Sequence, residues 1–599
     1  MRTTTLIAGL VCGLGASGCP DDQQGVQVGD GTAHGDIAFG DADAASGDSA
    51  GADASDSGAT STAPTDASAA SDSRVGDTTA TTTVTDSGGD TGPQQICIPN
   101  QYTCQTTTTR HQCNSDGTDF LPDVDCAAEQ SCREGLCLAK CPNDPKFGVY
   151  VGCEFWATDL PNYPDQFANP ENSPWAVVIS NPGQHQVTVS FEMPPLFTYA
   201  PDDPIVPPHE SRVFQLPNIN VQGTSLMPKG VHVTATGPVT AHQFNPYAVQ
   251  FSNDASLLMP DPMLGDEYAI LSWVTAPLDF VGLPSQNGYF TVIAAFDNTS
   301  VTIQPSAHVN ASGPIPELQA GQLHVVKLNR GDVLSIQGDA VGLGAADVTG
   351  SRVTSDKPIA VFGGHEEAVV GDPIPTREGG TTPPCCADHL EEEMLPVNLA
   401  GTTYLAVHSP ARGQTVIEDD FWRIQALEPN VKITTTPPQV GANNVTLASI
   451  GDWIEVKSNQ SFVVEGTGKI QIGQYLASRD ETEDFTGDAS LVVMVATDHF
   501  RKDYVFLAPD YSTGGVFGTP PVLKATLVKK AGTTVSIDGT AVPQAAFVAL
   551  GTSGYEYTYE TLTIGVHEAS SSEPFGLYVY GYNNAVSFSY IGGIAVPGE

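Results

Sequence analysis

One stretch of this chain has residue types that could do chemistry: His365-Glu366-Glu367, followed some twenty positions later by Asp388, His389, Glu391, Glu392 and Glu393. Imidazoles and carboxylates brought together could hold a divalent metal, with His365, Glu366, Asp388 and His389 as candidate ligands. Two of the carboxylates could also share acid–base work. Against this, a Gly/Pro-rich run from Gly371 to Pro384 separates the parts, and no fixed ligand spacing links them. The reading favoured by the residues is a solvated acidic loop in which neighbouring carboxylates order His389. No G-x-S-x-G, H-E-x-x-H, P-loop or Rossmann glycine pattern stands in a strand–helix setting. No catalytic residue, metal or other cofactor is therefore expected, and the chain is read as not an enzyme. A metal-dependent secreted hydrolase using the His365/His389 acidic loop is the rival.

Cysteine is the second reactive group. Cys97, Cys104, Cys113, Cys126, Cys132 and Cys137 fall within 41 residues, followed by Cys141 and Cys153, and then Cys385-Cys386 far downstream. The cluster contains no C-x2-C pair, which argues against zinc. Such density in a short segment predicts a disulfide framework in an oxidising compartment. The pairing is left open, because six cysteines alone allow about fifteen connectivities. A bond between adjacent Cys385 and Cys386 would close an eight-membered ring at odds with a trans peptide. One or both are therefore expected to reach distant partners, with Cys141 and Cys153 as candidates.

The N-terminus points to export. Met1-Arg2 precedes a short apolar run, Leu6 to Leu14, and then Ala16-Ser17-Gly18-Cys19. One positive charge, a run too short to span a bilayer and small residues before a cysteine are signal-peptide features. The ending resembles a bacterial lipobox, so residues 1–18 are read as a lipoprotein signal and Cys19 as the lipidated residue. Removing Cys12 and Cys19 leaves ten cysteines, an even number suited to full pairing. The expected location is the outer membrane or cell surface, with a secreted soluble product as the alternative.

Lys plus Arg total 24 against 69 Asp plus Glu, a formal charge of -45. A surface this acidic repels phosphate backbones and anionic headgroups, which excludes nucleic acid as a partner and leaves lipid as the only membrane contact. Residues 19–94 are almost wholly Asp, Ala, Ser, Thr and Gly. They cannot bury enough apolar surface to offset ordering, and are read as a disordered acidic tether. Residues 95–141 form the Cys-rich module.

From 142 to 599, short apolar alternations recur between Gly, Pro, Asn and Asp turns, and 3.6-period stretches are scarce. One recurring unit is a small-polar-Pro strand start: Val233–Ala241, Val353–Val361, Val456–Val464 (with Ser461 at the proline position) and Ser571–Val579. Its prolines are expected at the first residue of a strand, where no ladder bond is lost. A second unit precedes each: Val187-Thr188-Val189, Val301-Thr302-Ile303, Val431-Lys432-Ile433 and Val535-Ser536-Ile537. The proline-position anchors are 120, 103 and 113 residues apart. Such periods suit a β-sandwich better than a propeller blade. The fold class is therefore mainly β, with tandem β-sandwich-like modules over roughly 142–258, 259–370, 371–490 and 491–599, preceded by the disulfide-rich module and the disordered linker. The five tryptophans, Trp156, Trp175, Trp273, Trp422 and Trp453, could form a glycan-stacking platform, although core packing is the favoured reading.

Two segments carry a family resemblance. Tyr150-Val151-Gly152-Cys153-Glu154-Phe155-Trp156-Ala157-Thr158-Asp159-Leu160-Pro161-Asn162 and Cys385-Cys386-Ala387-Asp388-His389-Leu390-Glu391-Glu392-Glu393-Met394-Leu395-Pro396-Val397 resemble the IgGFc-binding protein N-terminal domain family, as do the S-x-x-P-(V/I) strand starts. The resemblance covers roughly residues 145 to 599, and the signal, tether and Cys-rich module resemble its bacterial lipoprotein-type members. It implies an extracellular, non-enzymatic adhesion or recognition role toward a protein or glycan, with a purely structural envelope or matrix component as a further alternative. It assigns no binding residue.

Overall fold

In a computed structural model, residues 96–597 are described except for 98, 100–101, 107–108, 128–129, 134–135, 140, 142–145, 165–168, 194–196, 248–251, 277–283, 340–345, 376–380, 484 and 511–520. Cys19, the signal segment and the acidic tether lie outside the described residues. Thirty-eight strands and no α-helix occur among the described residues, so the chain is mainly β. The described residues divide into two compact units. The smaller holds Cys113–Phe120 and the residues around Cys97, joined by the Cys97–Cys113 disulfide. The larger comprises Gln101–Gln112 and Leu121–Glu599.

Within the larger unit, four curled sheets are each built on one long strand followed by one short strand. These pairs are β1 (Val231–Asn245) with β2 (Asp254–Leu257), β3 (Arg352–Ala368) with β4 (Asp388–Glu393), β5 (Phe462–Leu476) with β6 (Ser490–Val493), and β7 (Gly565–Asn583) with β8 (Val586–Ile591). All four pairs are antiparallel.

The first half of each long strand pairs with the strand that carries the V-x-V or V-x-I unit. The second half pairs with a different strand: Trp175–Ser180, Gly288–Ala294, Asp420–Ala426 or Val522–Lys530. One bent strand thus belongs to both layers of a sandwich, which lets Val and Ile from both halves meet in one core. Buried residues from Phe147 to Ile594 form a continuous apolar cluster across the sheets.

The prolines sit differently from expectation. Pro238, Pro358 and Pro574 lie inside β1, β3 and β7, where the register to the neighbouring strand shifts. At a bulge the ladder is already interrupted, so the missing N–H is tolerated in mid-strand. The third sheet has its shift between Glu465 and Ile470, with Lys469 in the corresponding place. The sequence match at Ser461 was therefore misplaced, because that bulge carries no proline to mark it.

The four short strands gather at the centre. β2 packs on β4 and β8, and β6 packs on the same two, closing a ring in chain order. Inner strands around a common axis are a propeller feature, here combined with sandwich-like sheets.

Candidate binding site

The acidic stretch is not a solvated loop. Asp388–Glu393 is strand β4, and every one of its residues is buried. Its carboxylates are supplied with donors from remote parts of the chain. Asp388 accepts from the backbone N–H of Asn253 (2.6 Å), His389 (3.0 Å) and Ser587 (3.4 Å). Glu391 accepts from Ser256 Oγ and Gln243 Nε2, each at 3.3 Å, and Glu393 from the Met259 N–H at 2.7 Å. Burial pushes the pKa values of Asp388, Glu391, Glu392 and Glu393 well above the carboxylate range.

The centre of this network is Asp254, which the sequence reading passed over. Its two oxygens accept from all four inner strands: Ala255 N–H of β2 (3.0 Å), Glu391 N–H of β4 (3.2 Å), Ser490 Oγ and Leu491 N–H of β6 (2.8 and 3.0 Å), and Ser589 N–H of β8 (3.4 Å). The signal was present, since Asp254-Ala255-Ser256-Leu257 recurs as Asp488-Ala489-Ser490-Leu491.

The candidate histidines are enclosed rather than poised. His365 accepts the Glu367 N–H at Nδ1 and faces the Val274 carbonyl from Nε2, each at 3.1 Å, so both ring nitrogens are engaged. His389 stacks beside Tyr289, whose hydroxyl lies 3.3 Å from Nε2. Burial lowers both pKa values to about 3, keeping the rings neutral. His365, Glu366, Asp388 and His389 do not form a trio with converging ligand atoms.

Among the described residues, the one such trio is Glu154, His232 and Asp261, whose ligand atoms lie within 4.8 Å of one another. It lines a cavity of about 570 Å³ with Phe191, Phe296 and Arg330. Arg330 lies 2.8 Å from His232 Nδ1. Guanidinium can only donate, so Nδ1 is the acceptor and the ring proton sits on Nε2, facing Glu154 Oε2 at 3.3 Å. A metal at Nε2 would have to displace that proton and leave an imidazolate. The trio works better as a polar cluster in which His232 accepts from Arg330 and faces Glu154, covering Trp156, over which Arg330 lies.

A second cavity, about 410 Å³, is lined by residues that include Glu171, Asn287, Asn310, Gln337, Asp339 and Glu366. Glu366 comes from β3, while Asn287 immediately precedes the strand Gly288–Ala294 that pairs with it. Glu366 Oε1 accepts from Gln337 Nε2 at 2.6 Å, and Oε2 accepts from the Asn287 backbone and side-chain nitrogens at 2.8 and 3.1 Å. Burial raises the Glu366 pKa to about 7. Of the five tryptophans, Trp156, Trp175, Trp273 and Trp422 are buried in cores, and Trp453 is half-buried against Arg423.

Two disulfides correct the expected pairing. Cys141 bonds Cys153, and Cys385 bonds Cys386. The expectation assumed a trans peptide between the adjacent cysteines. That peptide is cis, and the two Cα atoms are 3.0 Å apart. Cys126 is also disulfide-bonded, and Cys132 stands opposite Cys137 in a two-stranded ladder.

Fold and cavities together define a disulfide-bearing, mainly β protein with preformed recesses and enclosed acid–imidazole groups. The family model described as IgGFc binding protein matches residues 254–581, and the chain belongs to that family. It is also 25% identical over 345 residues to a protein of Homo sapiens named IgGFc-binding protein. That match covers 56% of this chain and 6% of the human protein, so the chain spans a small fraction of its relative's length.

Proposed function

We propose that this chain is an exported surface protein with a non-enzymatic adhesion or recognition role, its β region presented on the acidic tether and held at an envelope by lipid on Cys19. The binding family supports the role. The observation that carries it is the polar recess around Glu366. It is ready-formed and rich in acceptors, whereas the His365 and His389 rings that a hydrolase would need are buried, with both nitrogens of His365 engaged. Among the described residues no helix is long and apolar enough to cross a membrane.

Two experiments test the proposal. The full-length protein applied to arrays of extracellular proteins and glycans should bind a restricted set; uniform silence would favour a structural envelope component. Cys19→Ser should move the protein from the detergent-soluble membrane fraction to the detergent-free supernatant, and unchanged fractionation would remove the anchor.

A further inference from the structure

The recess around Glu366 has an imbalance that specifies its ligand. Glu171 is only 8% exposed, yet its Oε1 is buried with no hydrogen-bond partner among the described residues. Asn287 Oδ1 is in the same condition. Asp339 adds a carboxylate whose Oδ2 accepts, among the described residues, the Asn310 N–H at 2.7 Å. Among the described residues no Lys or Arg lines the recess. Lys229 acts on Glu171 through its charge, but its ammonium donates to the Asn220 carbonyl. Buried acceptors left without donors keep an uncompensated desolvation cost, so an occupant that donates would relieve it.

We propose that this recess binds an organic cation bearing N–H donors, an ammonium or guanidinium group, with Glu171, Asn287 and Asp339 as its acceptors and the Glu366 carboxyl behind them. A divalent metal does not fit. The carboxylates here do not bring three ligand atoms within 4.8 Å, a condition met elsewhere by Glu154, His232 and Asp261. A neutral sugar offers donors but leaves the three carboxylates without a counter-charge. Burial raises the pKa values of both Glu171 and Glu366, and for Glu171 it outweighs the opposing charge of Lys229. The volume lies within the range of about 300–1,000 Å³ typical of small-molecule sites. The cation could be a free amine or a Lys or Arg side chain of a partner, since the chemistry is shared.

The inference deepens the recognition reading and rests on it for biological meaning, but its test is separate. The full-length protein is titrated calorimetrically with ethylguanidinium, putrescine and a Gly-Gly-Arg-Gly-Gly peptide, with methyl glucoside and calcium as neutral and metal probes. The cations should bind, and the other two should not. Glu171→Gln should weaken cation binding at least tenfold, while Glu317→Gln, outside the recess, should leave it unchanged. Gln222→Lys alters an exposed lining residue and places a competing ammonium at the mouth, so it should abolish binding even if Glu171→Gln fails to fold. An Arg peptide that binds more tightly than ethylguanidinium identifies a protein side chain as the occupant; equal or weaker binding identifies a free amine. The proposal is overturned if no cation binds the wild-type protein, if methyl glucoside or calcium binds as well, or if Gln222→Lys has no effect. Selective array binding in the face of any of those results would place recognition on another surface.

Discussion

Ser490 Oγ donates to Asp254 Oδ1 at 2.8 Å across 236 positions of sequence, and the same hydroxyl lies 2.6 Å from Ser589 Oγ. Asp254 is thereby the one carboxylate to which β2, β4, β6 and β8 all contribute a donor. Replacing it with Ala strands several buried N–H groups at once. Asp254→Ala should lower unfolding free energy by roughly 3 kcal/mol or more, and Ser490→Ala by about 1 kcal/mol, in urea titrations. Equal small effects would mean that the centre is not the keystone described.

The pH dependence of stability follows from the buried acids. Burial raises Asp159, Glu366 and Asp488 to about 7, above ordinary values of 3.8, 4.5 and 3.8. The folded chain holds protons that the unfolded chain has lost, so this stabilisation is complete below the ordinary carboxylate values and disappears as pH rises through 7. His242, His365 and His389, lowered to about 3, act in the opposite sense but only below their ordinary 6.5. Above 6.5 the imidazole effect fades and the carboxyls, which Asp254, Asp388, Glu391, Glu392 and Glu393 reinforce, dominate. The melting temperature should fall between pH 6.5 and about 8.5, and Asp159→Asn should flatten part of that fall. A rise over the same interval would contradict the assignment.

At Gly364, β3 passes close to β4 and to Tyr289. A Cβ there would lie 2.0 Å from the Leu390 carbonyl oxygen and 2.7 Å from the Tyr289 hydroxyl. Gly364→Ala should destabilise the protein by about 3 kcal/mol. A melting temperature within a degree of wild type would show that the backbone yields.

Arg423 lies 4.1 Å from the Trp273 ring centroid and 4.4 Å from that of Trp453, pairs with Asp347 and Glu455, and donates to the Ser272 carbonyl. Lysine keeps the charge but loses the planar stack and the fork. Arg423→Lys should cost about 2–3 kcal/mol, measured by the same titrations.

Peptide mapping without reduction should recover Cys141 linked to Cys153, and a single peptide containing both Cys385 and Cys386 lighter by two hydrogens than its reduced form. A cross-link between the two regions would refute the structure's pairing.

Much of the architecture was legible. The V-x-V units and the small-polar-Pro units mark the two strands that pair with each other, and period-two alternation identifies both as strands. What alternation could not show was the ring of inner strands. Those strands are short and carry Asp, Ser and Glu at buried positions, so hydropathy reads them as surface. Asp388 and Glu391 look solvated because their donors, Asn253, Ser587, Gln243 and Ser256, come from elsewhere in the chain. The polar recess escaped for a similar reason: Glu171, Asn287 and Glu366 share no local motif and meet only through strand pairing. The adjacent cysteines were misjudged because sequence does not report the isomer of the intervening peptide.

The closed inner ring has a consequence for how such a protein can change over evolutionary time. An open array tolerates gain or loss of a unit at its ends, because each unit answers only to its neighbours. Here β8 docks on β2, so the last unit completes the first. Deleting or duplicating one quarter would leave Asp254 short of a donor or crowd a strand out of the circle. Copy number is therefore locked, and novelty must accumulate in the connections and recesses around the rim.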